Sequence, residues 1–223
     1  MDDGYRFDFS WVPEYMGVFV DAFVLTLKLL VLSAVFSTLI GLIAGQMLTS
    51  KRKWVSWPAR FYVDLFRLTP ILLQIVVIFF LLPSLLHLEI SALISGVIAL
   101  SLNYGAFNAE IFRAGILSID RGQWEASSAL GMNWLQSLRR VVYPQAIRRM
   151  LPPLGSMMIA LTKDTSLISV IGVAELFNTA QSVGAHTFRQ LEAFFVIAGF
   201  YLVLTLPLAI IAARLTKRVN ANL

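Results

Sequence analysis

The chain has 223 residues, of which 58% are hydrophobic and only 14% charged, and its mean hydropathy is +0.76. Because soluble domains carry about a quarter charged residues, this composition predicts an integral membrane protein, and the length suits one membrane domain over residues 1–223 without a separate enzymatic domain. The absence of cysteine excludes disulfides, cysteine metal ligands and a cysteine nucleophile.

Five apolar runs are long enough to cross a hydrocarbon core as helices, which takes roughly 20 residues each. They cover residues 18–48, 61–82, 90–112, 151–177 and 193–213. The chain starts with acidic residues and not with the basic segment of a cleavable signal peptide, so we expect the first run to remain as a transmembrane helix. The sequence therefore predicts an all-α membrane protein with five spans.

Basic residues fall in blocks, and the blocks predict the orientation. They lie between the first and second runs, between the third and fourth runs, and after the fifth, as Lys51, Arg52, Lys53 and Arg60, then Arg113, Arg121, Arg139, Arg140, Arg148 and Arg149, then Arg214, Lys217 and Arg218. The positive-inside bias places these segments in the cytoplasm. The N-terminus, with the acidic residues Asp2, Asp3, Asp8 and Glu14, is then expected outside, and no nucleic-acid partner is needed to explain the net charge of +5.

The polar loop over residues 113–153 carries two helix-start signals. Asp120 with Gln123 is a capping pair that predicts a short helix over residues 121–130, and Gly131 suits the left-handed position after it. Asn133 with Gln136 predicts the start of a second helix. Pro144 is expected to end or kink that helix, and the pair at 152–153 to begin the next one.

This loop resembles the Glu-Ala-Ala loop of ATP-binding-cassette (ABC) importer permeases, and three further segments resemble the branch of that family that imports polar amino acids. The loop residues are Gly122-Gln123-Trp124-Glu125-Ala126-Ser127-Ser128-Ala129-Leu130-Gly131-Met132, with Ser127 in place of the usual second alanine. The other segments cover residues 66–74, 109–116 and 161–167, and Leu68 stands where glycine is more usual. The resemblance covers nearly everything after Thr26.

The resemblance implies the fold of a type I ABC importer permease and a set of partners. These are a cytoplasmic dimer of ATPase subunits that binds ATP and Mg²⁺, a second permease subunit that is identical or paralogous, an extracytoplasmic substrate-binding protein and a polar amino acid. It also implies that the loop couples the permease to the ATPase through Gly122, Gln123, Trp124, Glu125, Ala126, Ser127, Ala129, Leu130, Gly131 and Met132. The small residues would allow close docking, and Trp124 and Met132 would be apolar anchors. The alternative is an amphipathic helix on the membrane surface.

Polar residues inside apolar runs are the candidates for the substrate pathway, because ionisable groups at bilayer depth are costly unless they are paired or face water. Lys163, Asp164, Thr165 and Ser166 interrupt the fourth run near its middle. Asp164 would meet the ammonium of an amino acid, and Thr165, Ser166 and freed backbone N–H groups its carboxylate. In the alternative, the two charged residues pair within the bundle and the two hydroxyls bond to their own helix.

Four further candidates lie in the second and third runs: Gln74, Asn103, Asn108 and Glu110. Gln74 would line the pathway or bridge helices, and Glu110 would serve as a gate or pair with Arg113 three residues on.

Two other classes of function are weighed against an importer. A membrane enzyme is poorly supported, since neither a zinc motif nor a nucleophile elbow is present, and a stand-alone channel or secondary transporter would need its own coupling-ion site. The sequence also lacks a P-loop, so ATP would be hydrolysed by a separate subunit and this chain would hold no cofactor. The substrate is left open between polar amino acids and derivatives such as cystine or opines.

Overall fold

The computed structural model describes residues 5–87 and 89–220, and within them every regular element is helical. The acidic residues Asp2 and Asp3, expected on the outer side, lie outside the described residues. The α-helices are α1 (Val12–Leu48), α2 (Lys53–Leu68), α3 (Ile71–Leu86), α4 (Ala92–Leu117), α5 (Arg121–Ala129), α6 (Trp134–Ser137), α7 (Tyr143–Asp164), α8 (Leu176–Thr187) and α9 (Gln190–Asn220). A π-helical turn, Leu138–Val142, joins α6 to α7, and a 3₁₀ segment, Thr165–Ile171, continues α7.

Four helical stretches among the described residues are long and apolar enough to cross a membrane: Val12–Leu48, Ala92–Leu117, Trp134–Ile171 and Gln190–Lys217. The pair α2 and α3 makes a fifth candidate span, bent by 110° at the junction. The all-α fold with five spans is thereby confirmed, but the prediction of a continuous helix over 61–82 is wrong. Thr69 is extended (φ −111°, ψ 147°) because Pro70 disfavours helical backbone in the residue before it, and the chain turns there.

The fourth span differs from its prediction at both ends. It begins as far back as Trp134, and Pro152 and Pro153 lie inside α7 instead of starting a helix. Pro144 does not end the helix either, because the wider π turn directly before it takes up the missing N–H and the bulk of its ring. The predicted interruption near residue 164 is real: the backbone changes from α to 3₁₀ at Thr165, and Gly172, at φ 79°, ends the segment.

The helices α1 and α4 form the most extensive contact in the bundle, and two glycines make it possible. A Cβ atom built on Gly41 would lie 2.5 Å from the Cβ of Asn108, and one built on Gly45 would lie 2.7 Å from the Cβ of Phe112. No side chain fits at either place, so the glycines allow the two backbones to approach closely.

The N-terminal segment is tied to the start of α9. The Tyr5 hydroxyl and the Asp8 amide both donate to the buried carboxylate of Glu192, and Arg189 lies 3.7 Å from the carboxylate of Asp8. The amide of Ser10 donates to Asp8 and lowers the pKa of that carboxyl group, which keeps it charged beside Arg189.

Candidate functional site

The short helix α5 is held by the predicted signals at both of its ends. Asp120 accepts a hydrogen bond from the amide of Gly122 at 2.6 Å, and Gly131 adopts φ 76° just beyond the helix. The Gln123 side chain was expected to bond back to Asp120, but it has a different partner. Its oxygen accepts a hydrogen bond from the side-chain amide of Gln145 on α7 at 3.1 Å. The second capping pair, Asn133 with Gln136, forms both of its hydrogen bonds at 2.9 Å.

One side of α5 faces inward and holds the loop against the helix that follows. Ser127 is 2% exposed, and its hydroxyl donates to the hydroxyl of Ser137 at 2.7 Å. Trp124 is partly buried against the cluster of Phe112, Leu138 and Val142. The expectation that Ser127 lies on the docking surface is therefore wrong, because its side chain is buried inside the loop. Trp124 is only partly buried, so its role as an apolar anchor stays a prediction.

The opposite side of α5 is exposed, and we call it the α5 outer face. Its members are small or flexible residues and one large apolar side chain, Leu130, which is 77% exposed: Gly122, Gln123, Glu125, Ala126, Ala129, Leu130 and Gly131. Met132 lies at its edge, partly buried. A face of small residues with one exposed large apolar side chain is the composition that suits close docking of another protein.

A cavity of about 260 Å³ lies where the bend between α2 and α3 meets α4 and α7, and we call it the upper cavity. It is lined by Phe66, Thr69, Ile71, Asn103, Tyr104, Phe107, Met157, Ala160 and Asp164. Asp164 is half-buried there and accepts a hydrogen bond from the hydroxyl of Tyr104 at 2.7 Å. A carboxylate beside a hydroxyl, in a wall whose other residues are apolar except for Thr69 and Asn103, is suited to a ligand with an ammonium group.

Gln74 and Asn103 hold the bend that forms this cavity. The amide nitrogens of both side chains donate to the carbonyl oxygen of Phe66, which the end of α2 leaves without a helical partner. Gln74 also donates to Thr69, and its oxygen accepts from Asn103 at 2.9 Å. Gln74 thus bridges helices, which was one of its two expected roles, while Asn103 bridges them and also lines the cavity.

Other predicted pathway residues lie away from the upper cavity. Lys163 is exposed, Thr165 is buried and donates to the carbonyl of Thr162, and Ser166 donates to the carbonyl of Lys163. The two hydroxyls satisfy their own helix, so the expectation that they face a carboxylate is not met. Asn108 is buried between α1 and α4, with its amide 3.5 Å from the hydroxyl of Ser37, so it lines neither this cavity nor the next.

A second cavity of about 490 Å³ lies closer to α5, and we call it the lower cavity. The two cavities are neighbours, because Phe107 on α4 and Met157 on α7 line both of them. Glu110 lies in its wall and binds Arg113 at 2.8 Å and Arg60 at 3.0 Å. The expected pairing with Arg113 is therefore present, together with a partner on α2 that the sequence did not indicate.

Sequence reasoning missed Tyr104, Phe107, Arg60 and Arg67. The sequence does carry a signal for the first two, because Tyr104, Phe107 and Ile111 recur at the spacing of one helical face. Arg60 and Arg67 both lie on α2, and their contact with Glu110 on α4 depends on tertiary packing.

The family model for binding-protein-dependent transport system inner membrane components matches residues 37–221. The chain is 39% identical over 216 residues to the glutamine transport system permease protein GlnP of Escherichia coli K12, covering 96% of this chain and 99% of the relative. It is 34% identical to the arginine permease protein ArtQ of Bacillus subtilis (96% and 98% covered) and 40% identical to the L-cystine permease protein TcyB of the same organism (87% and 83%).

Two solved structures are similar. One is described as an amino acid ABC transporter with histidines, with a TM-score of 0.87 and 35% identity over 96% of this chain and 100% of that one. The other is the MetNI methionine ABC transporter in an inward-facing conformation, with a TM-score of 0.76 over 92% of this chain and 98% of that one. At 19% identity the second likeness shows the fold alone.

Proposed function

The chain belongs to the family of binding-protein-dependent transport system inner membrane components, and from that premise we propose that it is the permease subunit through which a bacterial ABC importer moves a polar amino acid across the inner membrane. Two copies, or this chain and a paralogue, enclose the pathway. ATP is hydrolysed by a separate pair of ATPase subunits, and a substrate-binding protein delivers the amino acid from outside. The N-terminus lies outside, and α5 and the C-terminus lie in the cytoplasm, as the basic blocks indicate.

The α5 outer face docks into the ATPase in this proposal. Its exposed small residues and the exposed Leu130 support that role, since Trp124 and Ser127 on the other side of α5 are packed against their own chain. The bonds between Ser127 and Ser137 and between Asp120 and Gly122 make the loop rigid, so that a displacement of α5 reaches α7, which lines both cavities. ATP-driven closure of the ATPase pair would then shift the permeases between inward-open and outward-open states.

The observation that carries the substrate class is the pair of Asp164 and Tyr104 in the upper cavity. Glutamine, arginine and cystine, after which the three relatives are named, share an α-ammonium group and differ in their side chains. Asp164 supplies the charge that binds an ammonium, and Tyr104 fixes the orientation of the carboxylate. The substrate is accordingly a zwitterionic α-amino acid or a close derivative of one.

The test is ATP-dependent uptake into lipid vesicles that contain the complete importer, with glutamine, arginine, cystine and an opine as candidate substrates. Asp164→Asn removes the charge with little change in shape and should lower uptake about tenfold or more, as the loss of a charge-assisted hydrogen bond would. Asp21→Asn, on an exposed carboxylate of α1 that lines neither cavity, is the matched control. Equal uptake by the two variants would refute the role of Asp164, and failure of every amino acid would refute the substrate class.

A further inference from the structure

Arginine side chains outnumber carboxylates around the lower cavity. Arg67, Arg149 and Glu110 line it, and Arg60 and Arg113 approach Glu110 from outside the lining. The carboxylate of Glu110 is therefore surrounded by guanidinium groups.

Glu110 is already paired by its two close partners, because each of its oxygens has one of them. Arg60 lies 3.0 Å from Oε1 and Arg113 lies 2.8 Å from Oε2, both at hydrogen-bond distance. Arg67 is a distant third at 3.9 Å from Oε1. A separation of 3.9 Å is too long for a hydrogen bond, and solvent screens the attraction because the Arg67 side chain is 40% exposed. Most of the N–H donors of Arg67 are therefore not used by Glu110.

Arg149 has no carboxylate within ion-pair distance in the part of the chain that the structure describes. Its guanidinium donates to the backbone carbonyl of Ser118, which carries no net charge. Among the described residues, Glu110 is thus the single carboxylate that lines the lower cavity, and the guanidinium groups of Arg60, Arg67, Arg113 and Arg149 outnumber it.

Arg67 lies where the two cavities meet. Its guanidinium carbon is 5.4 Å from the centre of the Phe107 ring, and Phe107 lines both cavities. The position is set by the bend, since Arg67 directly follows Phe66, whose carbonyl Gln74 and Asn103 hold. The contact with the ring keeps the guanidinium beside the passage without taking up its N–H donors.

From this arrangement we infer that Arg67 and Arg149 form an anion-binding subsite in the lower cavity, which accepts the α-carboxylate of the substrate after its ammonium has left Asp164. The inference rests on the proposed function. A guanidinium donates to a carboxylate through two parallel N–H groups, so it suits this ligand better than a lysine would. The ammonium group of the zwitterion thus binds first, to Asp164 in the upper cavity, and its carboxylate binds afterwards, to Arg67 in the lower cavity.

The experiment uses the complete importer in vesicles of phosphatidylcholine, with L-glutamine, L-arginine and L-cystine as probes. Arg67→Gln should lower the uptake of each about tenfold or more, since a charge-assisted hydrogen bond is lost. ATP hydrolysis stimulated by the binding protein should stay near the wild-type rate, because the α5 outer face is unchanged. Arg67→Lys keeps the cation but loses the two parallel N–H donors, so its uptake should lie between that of Arg67→Gln and that of the wild type. Arg149→Gln is a second variant, expected to act in the same direction.

Arg214→Gln, at an exposed arginine near the end of α9 that lines neither cavity, is the matched control and should transport normally. Uptake by Arg67→Gln equal to this control would overturn the subsite, as would an Arg67→Lys variant as poor as Arg67→Gln, because charge would then not matter.

Adding phosphatidylglycerol to the vesicles separates a lipid phosphate from a substrate carboxylate as the bound anion. If wild-type uptake requires that lipid and Arg67→Gln removes the requirement, the cavity binds lipid and the inference is wrong. If the wild type moves none of the three amino acids in either lipid, the proposed function itself fails, and the subsite falls with it.

Discussion

The side-chain amides of Gln74 and Asn103 are joined by a hydrogen bond of 2.9 Å, although the residues lie on different helices, and both donate to the carbonyl oxygen of Phe66. Together they satisfy the backbone where α2 stops and the chain bends by 110°. Inside a bilayer no water is available to hydrogen-bond a free carbonyl oxygen, so the bend requires these two amides.

Replacing Gln74 with leucine should destabilise the permease by about 1–3 kcal/mol, because it leaves buried polar groups of the bend unpaired. Thermal unfolding in detergent measures the effect. Gln46→Leu, at an exposed position near the end of α1, is the control for added apolar surface. If both variants melt at the wild-type temperature, the amide pair is not what holds the bend.

Replacing Gly131 with valine should uncouple ATP hydrolysis from uptake. No atom outside the neighbouring residues lies within 4 Å of a Cβ at this position, so the obstacle is the backbone angle of 76° and not a steric clash. A β-branched residue at that angle is strained by about 1–3 kcal/mol, which would displace the end of α5. The ratio of amino acid imported to ATP hydrolysed is the measurement. Gly131→Asn, which tolerates positive φ, should keep the ratio, and normal coupling in the valine variant would count against the loop.

Removing the Ser127 hydroxyl should loosen the loop, because the buried Ser137 hydroxyl loses its partner. Ser127→Ala is expected to cost about 1 kcal/mol, and the double variant with Ser137→Ala less than the sum of the two single changes. Susceptibility of the loop to protease in the isolated permease reports the change. Ser128→Ala, one residue along on the exposed side, is the control, and additive effects of Ser127→Ala and Ser137→Ala would show that the two hydroxyls are not coupled.

Replacing Gly41 with valine should prevent α1 from packing on α4, since its Cβ would overlap that of Asn108. We expect little folded permease in the membrane fraction, measured by gel filtration in detergent. Gly17→Val is the control, because a Cβ built on Gly17 meets no atom within 4 Å. Equal yields of the two variants would contradict the requirement for close approach.

The sequence predicted the features that depend on local chemistry. The caps at Asp120 and Asn133, the left-handed Gly131 and the interruption after Asp164 all follow from a few neighbouring residues, and the structure has each of them. Hydropathy likewise located the spans, because about 30 Å of hydrocarbon requires a long apolar run.

Apart from Pro152 and Pro153, which lie inside α7 instead of starting it, the features that failed depend on which neighbour a side chain meets. The sequence predicts Ser127 as a docking residue, but in the structure it bonds to Ser137 inside the loop. It predicts Asn108 as a pathway residue, but α1 covers that side chain. The run over 61–82 hid its bend because apolar residues continue past Pro70 and the backbone departs from helix only at Thr69 and Pro70. Periodicity within one helix cannot supply these tertiary contacts.

The glycine contact between α1 and α4 also sets the order in which the protein can assemble. During synthesis α1 is complete at Leu48, but the last turn of α4 follows about 70 residues later, or roughly 4 to 14 seconds at usual rates of translation. Throughout that interval the face of α1 at Gly41 and Gly45 lacks the part of α4 that packs against it in the finished protein. A nascent chain halted before residue 112 therefore carries an inserted but unpaired first helix, which membrane quality-control proteases would meet as an orphan.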